Sequence, residues 1–249
     1  MSRKRGKPRA LLSELVRLYP ELEDPATAIV AGRVLVNGFP VTNVAARVPA
    51  DASLRLRVDR PLRGSAKLRA ALDVFDVSVA GRIAVDVGAA AGGFTRVLLD
   101  CGARRVYAVD VGYGQLVGSL RQDERVEVLE RVNIAALGPS LVPDVVDVIT
   151  IDVSYLAVAA AAAQLDALRV RSGADCVALV KPMYELRLAR PPTDDAALCR
   201  AVEAAERGLA RSGWRIEGVV RSPEPGSRGA IEFLIHARRA LAGRGRGDA

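Results

Sequence analysis

The chain has 249 residues, half of them apolar, with 36 Lys and Arg against 29 Asp and Glu and a formal charge of +7. At about 100–200 residues per domain this length suits one large domain and one small one, and the basic balance favours polyanions, nucleic acid first, as partners. Three scattered cysteines and one histidine, His236, argue against a disulfide framework or a Cys/His zinc site. No metal is therefore expected. The basic start lacks the apolar core of a signal peptide, and no apolar run is long enough for a bilayer, so the expectation is a cytoplasmic protein without a membrane partner.

Residues 1–9 form a basic arm with Arg3, Lys4, Arg5, Lys7 and Arg9. Leu11, Leu12, Leu15, Val16 and Leu18 have helical spacing over residues 10–19, and Pro20 ends the pattern. Asp24-Pro25 opens a second helix over residues 26–31, closed by Gly32. Val34 and Val36 then alternate before Asn37-Gly38, a hairpin signal, and Leu54, Leu56 and Val58 form another alternating strand. Residues 10–58 thus read as a small α+β domain. The Pro/Gly-containing stretch at residues 59–64 is the linker, residues 65–237 are the large domain, and residues 238–249 are a basic tail.

The large domain opens with a helix over residues 65–75, carrying Leu68, Ala71, Leu72 and Phe75 on one face. Next comes AVDVGAAAGGFT. An apolar strand leads through Asp86 to Gly88, and Gly92-Gly93 lead into a helix with Phe94, Val97 and Leu98. A strand, a glycine turn and a helix together let backbone pass close under a ligand. The second strand, residues 106–109, ends in Asp110, 22 residues after Gly88, where an acid of such a sheet holds ribose hydroxyls. A third strand, residues 126–129, precedes Asn133. A fourth, within residues 144–154, carries Asp152 near its end. A fifth, residues 176–180, runs into Lys181-Pro182. An amphipathic helix over residues 194–212 follows, then strands at residues 214–221 and 231–237, with Glu232 opening the last. The pattern predicts an α/β fold, a Rossmann-like open sheet with the small α+β domain in front of it.

Ala90 stands where a dinucleotide fingerprint has its middle glycine. S-adenosylmethionine has no pyrophosphate and imposes no such need, and an acid two residues before Gly88 suits its ammonium group. Asp86, Asp110 and Asp152 at successive strand ends, with a closing hairpin, point to a methyltransferase rather than a dehydrogenase.

Two resemblances sharpen this. The two short helices followed by G-R-V-x-V-N-G-x-x-V resemble the S-four RNA-binding domain of a small-subunit ribosomal protein and of pseudouridine synthases. In that family Arg33 and Asn37 would be presented to RNA. The stretches RGSAKL, DVGAAAGGFT, VYAVDVGYGQL, IDVSY, LVKPMYE and IEFL occur in the order seen in the TlyA family, which joins that domain to an FtsJ-type ribose methyltransferase. The resemblance implies transfer of a methyl group from S-adenosylmethionine to a ribose 2′-hydroxyl, cytidine in ribosomal RNA, with ribosomal RNA or subunits as partner. Matched motif by motif, it places a catalytic tetrad at Lys67, Asp152, Lys181 and Glu232. It puts the cofactor at Asp86, Gly88, Gly92, Gly93 and Phe94, with Asp110 at the ribose and Asn133 near the adenine. Tyr155 and Tyr184 flank the expected site, each able to stack on a base or to pack in the core. The sequence departs from the family at Ala89-Ala90-Ala91 and at residues 186–195, which lack the usual glycines. A ribosome-binding assembly factor without turnover therefore remains an alternative. Pore formation, suggested by the haemolysin label of some relatives, finds no supporting segment.

Overall fold

A computed structural model describes residues 7–57 and 61–240. The chain divides into two compact units, Met1–Arg60 and Pro61–Ala249.

In the first unit, β1 (Arg9–Ala10) leads directly into α1 (Leu11–Leu18), which buries Leu11 and Leu15. The next helix, α2 (Pro25–Val30), starts where Asp24 accepts a hydrogen bond from Thr27 N at 3.0 Å, with proline at its first position. Ala28 and Ile29 of α2 join Leu11 and Leu15 in the core. Then come β2 (Val34–Val36), β3 (Phe39–Pro40), β4 (Arg47–Val48) and β5 (Leu54–Leu56). β2 is the centre of an antiparallel sheet between β3 and β5, while β4 pairs with β1. Asn37 and Gly38 both have positive φ, 52° and 88°, the backbone a two-residue hairpin needs. Val58, the expected end of the last strand, and most of the basic arm and tail lie outside the described residues.

The second unit opens with α3 (Ser65–Val74), β6 (Ile83–Val87), α4 (Gly93–Asp100), β7 (Arg105–Asp110), α5 (Gly118–Arg121) and β8 (Val126–Glu130). It continues through β9 (Val146–Ile151), α6 (Val158–Ala162), β10 (Val170–Val180), α7 (Pro182–Glu185), α8 (Asp195–Arg211), β11 (Trp214–Arg221) and β12 (Phe233–Arg239). The sheet order is β11-β12-β10-β9-β6-β7-β8, with β12 antiparallel to both neighbours and the other pairings parallel. All five residues of β6 are buried, as a central parallel strand covered on both faces requires. One core lies under α3, α4 and α5, and the other under α6 and α8. From β6 the chain steps outward to β7 and β8, then crosses back to β9 on the other side of β6. Strand order therefore reverses between β6 and β9, where ligands of such sheets bind beyond the carboxyl ends.

Two strands differ from expectation. β10 begins at Val170 rather than Cys176, because Arg171, Ser172 and Gly173 extend it with exposed residues that carry no apolar signal. β12 begins at Phe233, so Glu232 precedes the strand rather than opening it, and it is buried.

Within the sheet, away from the carboxyl end of β10, buried Asp175 gathers three cationic or ring nitrogens. Arg82 Nη1 lies at 2.6 Å, His236 Nε2 at 2.8 Å and Arg238 Nε at 3.0 Å. Burial alone would raise this carboxyl, but the three partners together hold it well below the usual carboxylate range. Its stabilising effect is complete above the unfolded value near pH 4 and is lost as pH falls through the lower folded value. Asp175→Ala should lower the unfolding free energy by about 3 kcal/mol at neutral pH. Denaturant titrations at several pH values should show the gap to wild type shrinking in strong acid; a gap that does not change with pH would contradict this assignment.

Candidate active site

Gly88 follows β6 with φ +89°, and a Cβ built on it would lie 2.3 Å from the Asp152 carbonyl oxygen. The turns after β6 and β9 therefore touch backbone to backbone, and only glycine fits. Gly93 has the same constraint: its Cβ would lie 2.0 Å from the Arg63 carbonyl oxygen. That contact holds the start of α3 against the start of α4, and Ser65 Oγ donates to Gly93 O at 3.1 Å to fasten it. Gly92 has φ +98°, and its Cβ would fall 2.2 Å from a Leu120 methyl. Phe94, 3% exposed, packs beside Gly64.

The fastened turns place Lys67, in the first turn of α3, inside the protein. Its Nζ lies 2.5 Å from Glu232 Oε2, and both side chains are 6% exposed. Lys181 leaves the end of β10. Its Nζ donates to Ser154 Oγ at 2.8 Å and to Val153 O at 3.0 Å, and it lies 2.6 Å from Asp152 Oδ1. The last approach is an ion pair by distance but not an aligned hydrogen bond. Asp152 Oδ1 is buried and has no aligned donor among the described residues. Such an acceptor is costly unless something else fills it. All four tetrad residues line one cavity of about 310 Å³, together with Gly88, Gly93, Phe94 and Tyr184.

A small recess of about 20 Å³ adjoins Gly88 and is lined by Asp110, Val111, Val132, Ile134 and Tyr155. Asp110 accepts from Gly112 N at 2.6 Å and from Ala90 N at 2.8 Å. The Ala90 N–H is thus already committed to a carboxylate, so the turn is not an open phosphate cradle. The two tyrosines that look equivalent in sequence separate here: Tyr155 faces the recess with Asp110, Tyr184 the larger cavity.

Two expected cofactor residues are placed differently. Asp86 is fully buried, accepts from Thr95 Oγ1 at 2.6 Å and Thr150 Oγ1 at 2.8 Å, and lines neither cavity. Its carboxyl ties β6 to α4 and β9, and burial pushes it up to about 6 against those two hydrogen bonds. Asn133 is exposed and caps a 3₁₀ turn, accepting from Ala135 N at 3.0 Å; its neighbours Val132 and Ile134 supply the recess wall. In the first unit, Asn37 Oδ1 accepts from Ser53 N at 2.9 Å and so braces the hairpin. Arg33 is half-buried.

Two further residues that sequence reasoning missed support the site. Glu130, at the end of β8, accepts from Gly114 N at 3.0 Å and Gln115 N at 3.2 Å and pairs with Arg121, which together hold its carboxyl down at about 2. It shapes the loop beside Asp110. Glu185, at the end of α7, accepts from Val158 N at 2.6 Å, linking the Lys181 segment to α6, and burial pushes it up to about 7. An acid ending a third successive strand is the one signal that marks Glu130 in advance.

A reversed strand order, a glycine turn at the reversal, an acid at the next strand end and a Lys/Asp/Lys/Glu cavity define a Rossmann-like methyltransferase. The chain belongs to the FtsJ-like methyltransferase family, whose model matches residues 61–239. It is 39% identical over 252 residues to the 16S/23S rRNA (cytidine-2′-O)-methyltransferase TlyA of Mycobacterium tuberculosis, covering 95% of this chain and 94% of that one. It is 32% identical to Hemolysin A of Brachyspira hyodysenteriae over 88% of this chain and 94% of the relative. A solved hemolysin-type structure from Streptococcus thermophilus matches with a TM-score of 0.69 at 31% identity, covering 94% of this chain and 89% of that chain.

Gly88 and Ala90 both have positive φ, and the same backbone argument predicts opposite outcomes for them. Gly88→Ala meets both the Asp152 backbone and an unfavourable φ and should cost about 3 kcal/mol or more. Ala90→Gly removes the penalty of alanine at φ +45° and should gain about 0.5–1 kcal/mol. Thermal melts of the two variants decide; shifts of the same sign would refute the reading of this turn.

Proposed function

We propose that this protein transfers the methyl group of S-adenosylmethionine to a ribose 2′-hydroxyl, cytidine in ribosomal RNA, as the name of its Mycobacterium tuberculosis relative states for that enzyme. The carrying observation is the pairing of Lys181 with Asp152 and of Lys67 with Glu232 along one cavity beside the glycine turn.

The residues present fit the cofactor's chemistry. Asp110 offers carboxylate oxygens to a ribose diol, and Tyr155, Val111, Val132 and Ile134 offer aromatic and apolar surface around the recess, which at about 20 Å³ must widen to take a ring. Gly88 lets the Asp152 backbone close against the turn and bring its carboxylate to the cavity, and the turn need not bind a pyrophosphate. When bound, S-adenosylmethionine supplies an electrophilic methyl group. Lys181, held by Asp152, Ser154 and the Val153 carbonyl, presents an N–H to the ribose 2′-oxygen and stabilises the negative charge that grows there. The Asp152 carboxylate, paired with Lys181, would take up the proton that the 2′-hydroxyl gives up. Lys67 and Glu232 neutralise each other on the opposite wall and fix its shape. Positioning contributes alongside proton transfer, because two reactants held in line avoid much of the entropy cost of meeting.

In the first unit, Lys7, Arg47, Arg55 and Arg57 are exposed, and we read this unit as an RNA-binding module. Pore formation is not part of this reading: among the described residues no helix is long and apolar enough to cross a membrane.

The test is methyl transfer from labelled S-adenosylmethionine to ribosomal subunits from cells lacking this gene, with the modified nucleotide mapped. Lys181→Ala should lower kcat by about 100- to 10,000-fold while cofactor binding, followed by calorimetry, stays within a few-fold. Wild-type turnover in that variant would remove the mechanism. Label on a base instead of a ribose would remove the reaction class.

A further inference from the structure

A second cavity, of about 340 Å³, adjoins the catalytic one. Its walls are residues 190–193 on one side and residues 228–231 on the other. Pro191, Ala230 and Ile231 line both cavities, so the two spaces share a wall. The charged side chains lining it are Arg190 and Arg228. Both are exposed, and neither forms an ion pair with a carboxylate among the described residues. Of the acids near them in sequence, Asp194 caps α8 by accepting from Ala197 N at 2.8 Å and Glu232 is held by Lys67, while Glu224 and Asp195 are exposed and pair with neither arginine.

The loop carrying Arg228 is held in shape. Gly226 N donates to Ala230 O at 2.8 Å, and Arg63 Nη2, which with Ser227 lines the catalytic cavity, donates to Ser227 Oγ at 2.6 Å. Arg228 itself has φ 58°, a conformation a non-glycine residue adopts at some cost. Pro191 and Pro192 stiffen the facing segment.

A ribose in an RNA strand is joined to a phosphodiester on each side, so any pose that brings a 2′-hydroxyl to Lys181 carries phosphates to the rim. We propose that the second cavity is a phosphate subsite, in which Arg190 and Arg228 bind a phosphodiester flanking the target ribose. The assignment rests on the ribose-methylation reading above. Guanidinium groups match phosphate oxygens in a two-point fork, and two unpaired arginines across a gap form a clamp that acts on strand placement, not on the reacting atoms.

The experiment compares wild type with Arg190→Ala, Arg228→Ala and the double variant, using ribosomal subunits as substrate over a range of salt. Arg207→Ala, whose arginine pairs with Glu203 within α8, is the charge-matched control. The double variant should raise KM for subunits by at least tenfold, leave kcat and cofactor affinity within threefold, and flatten the salt dependence by about 0.7 per lost phosphate contact. Arg190→Lys should recover part of the loss and all of the salt slope. Wild-type KM and slope in the double variant, or an equal loss in Arg207→Ala, would overturn the subsite while leaving ribose methylation standing. Should wild type transfer no methyl group to ribose, the parent reading fails; sedimentation binding of the same variants to subunits then tests the clamp directly, and an unchanged salt slope there sinks it too.

Discussion

The contact between Gly88 and the Asp152 backbone is the constraint on which the rest of the site depends. β6 and β9 lie side by side, and the chain leaves them towards opposite edges of the sheet. Their carboxyl ends therefore open a crevice instead of being covered by one crossing connection. Without a side chain on Gly88 the two turns close to van der Waals contact. Asp152 is thereby carried to the mouth of the glycine turn, and Lys181, one strand further out, reaches it. Asp86 works beneath the same contact: its two hydroxyl partners sit on α4 and β9, so the carboxyl locks the elements whose ends form the crevice. A buried carboxyl satisfied by hydroxyls, with no cation beside it, tolerates the interior better as its proton affinity rises.

The cavity shows how charge can be kept inside a protein at acceptable cost. Taking a lysine out of water is expensive unless an anion goes with it. Lys67 and Glu232 come from elements 165 residues apart in sequence and meet at 2.5 Å, so the pair forms only when the last strand has docked on α3. Completion of the sheet and completion of the site are the same event. Lys181 and Asp152, by contrast, belong to adjacent strands and are only partly buried, at 14% and 26% exposure. The more deeply buried pair frames the cavity. The more accessible one has surface left for a substrate.

Much of this was legible in the sequence because it depends on local pattern. Apolar strands, the glycine turn, Asp110 at its spacing and Asn37-Gly38 all follow from periodicity and backbone conformation. The family resemblance brought Lys67 and Glu232 to the same site across the length of the domain. What was not legible depends on which way a side chain turns once the strands are assembled. Asp86 and Asp110 both end apolar strands, yet one faces inward to hydroxyls and the other faces a recess. Asn133 sits at the expected place but spends its oxygen on a cap. Glu130 and Glu185 act through backbone N–H groups of loops whose positions only the assembled sheet fixes. The first half of β10 was missed because its residues are exposed, so hydrophobic pattern has nothing to report there.

Cations of two kinds surround this crevice, and the difference has a physical logic. Inside, Lys67 and Lys181 are matched by Glu232 and Asp152, while exposed Arg63 donates to Ser227, so the depth of the cavity carries little net charge. A cavity lined by unpaired lysines would attract phosphate, the most abundant anion of an RNA strand, and would bind the wrong group where a ribose must enter. Pairing removes that competition while leaving hydrogen-bond donors in place. At the rim the opposite holds: Arg190 and Arg228 stand without carboxylate partners among the described residues, where attraction to a polyanion recruits and orients the strand. The division keeps phosphates outside and the hydroxyl inside, and it falls on the two loops, residues 186–194 and 227–231, that the sheet does not constrain. Their sequences can change with little effect on Gly88, Asp152 or the buried pair, so substrate placement can diverge on a catalytic frame that stays fixed.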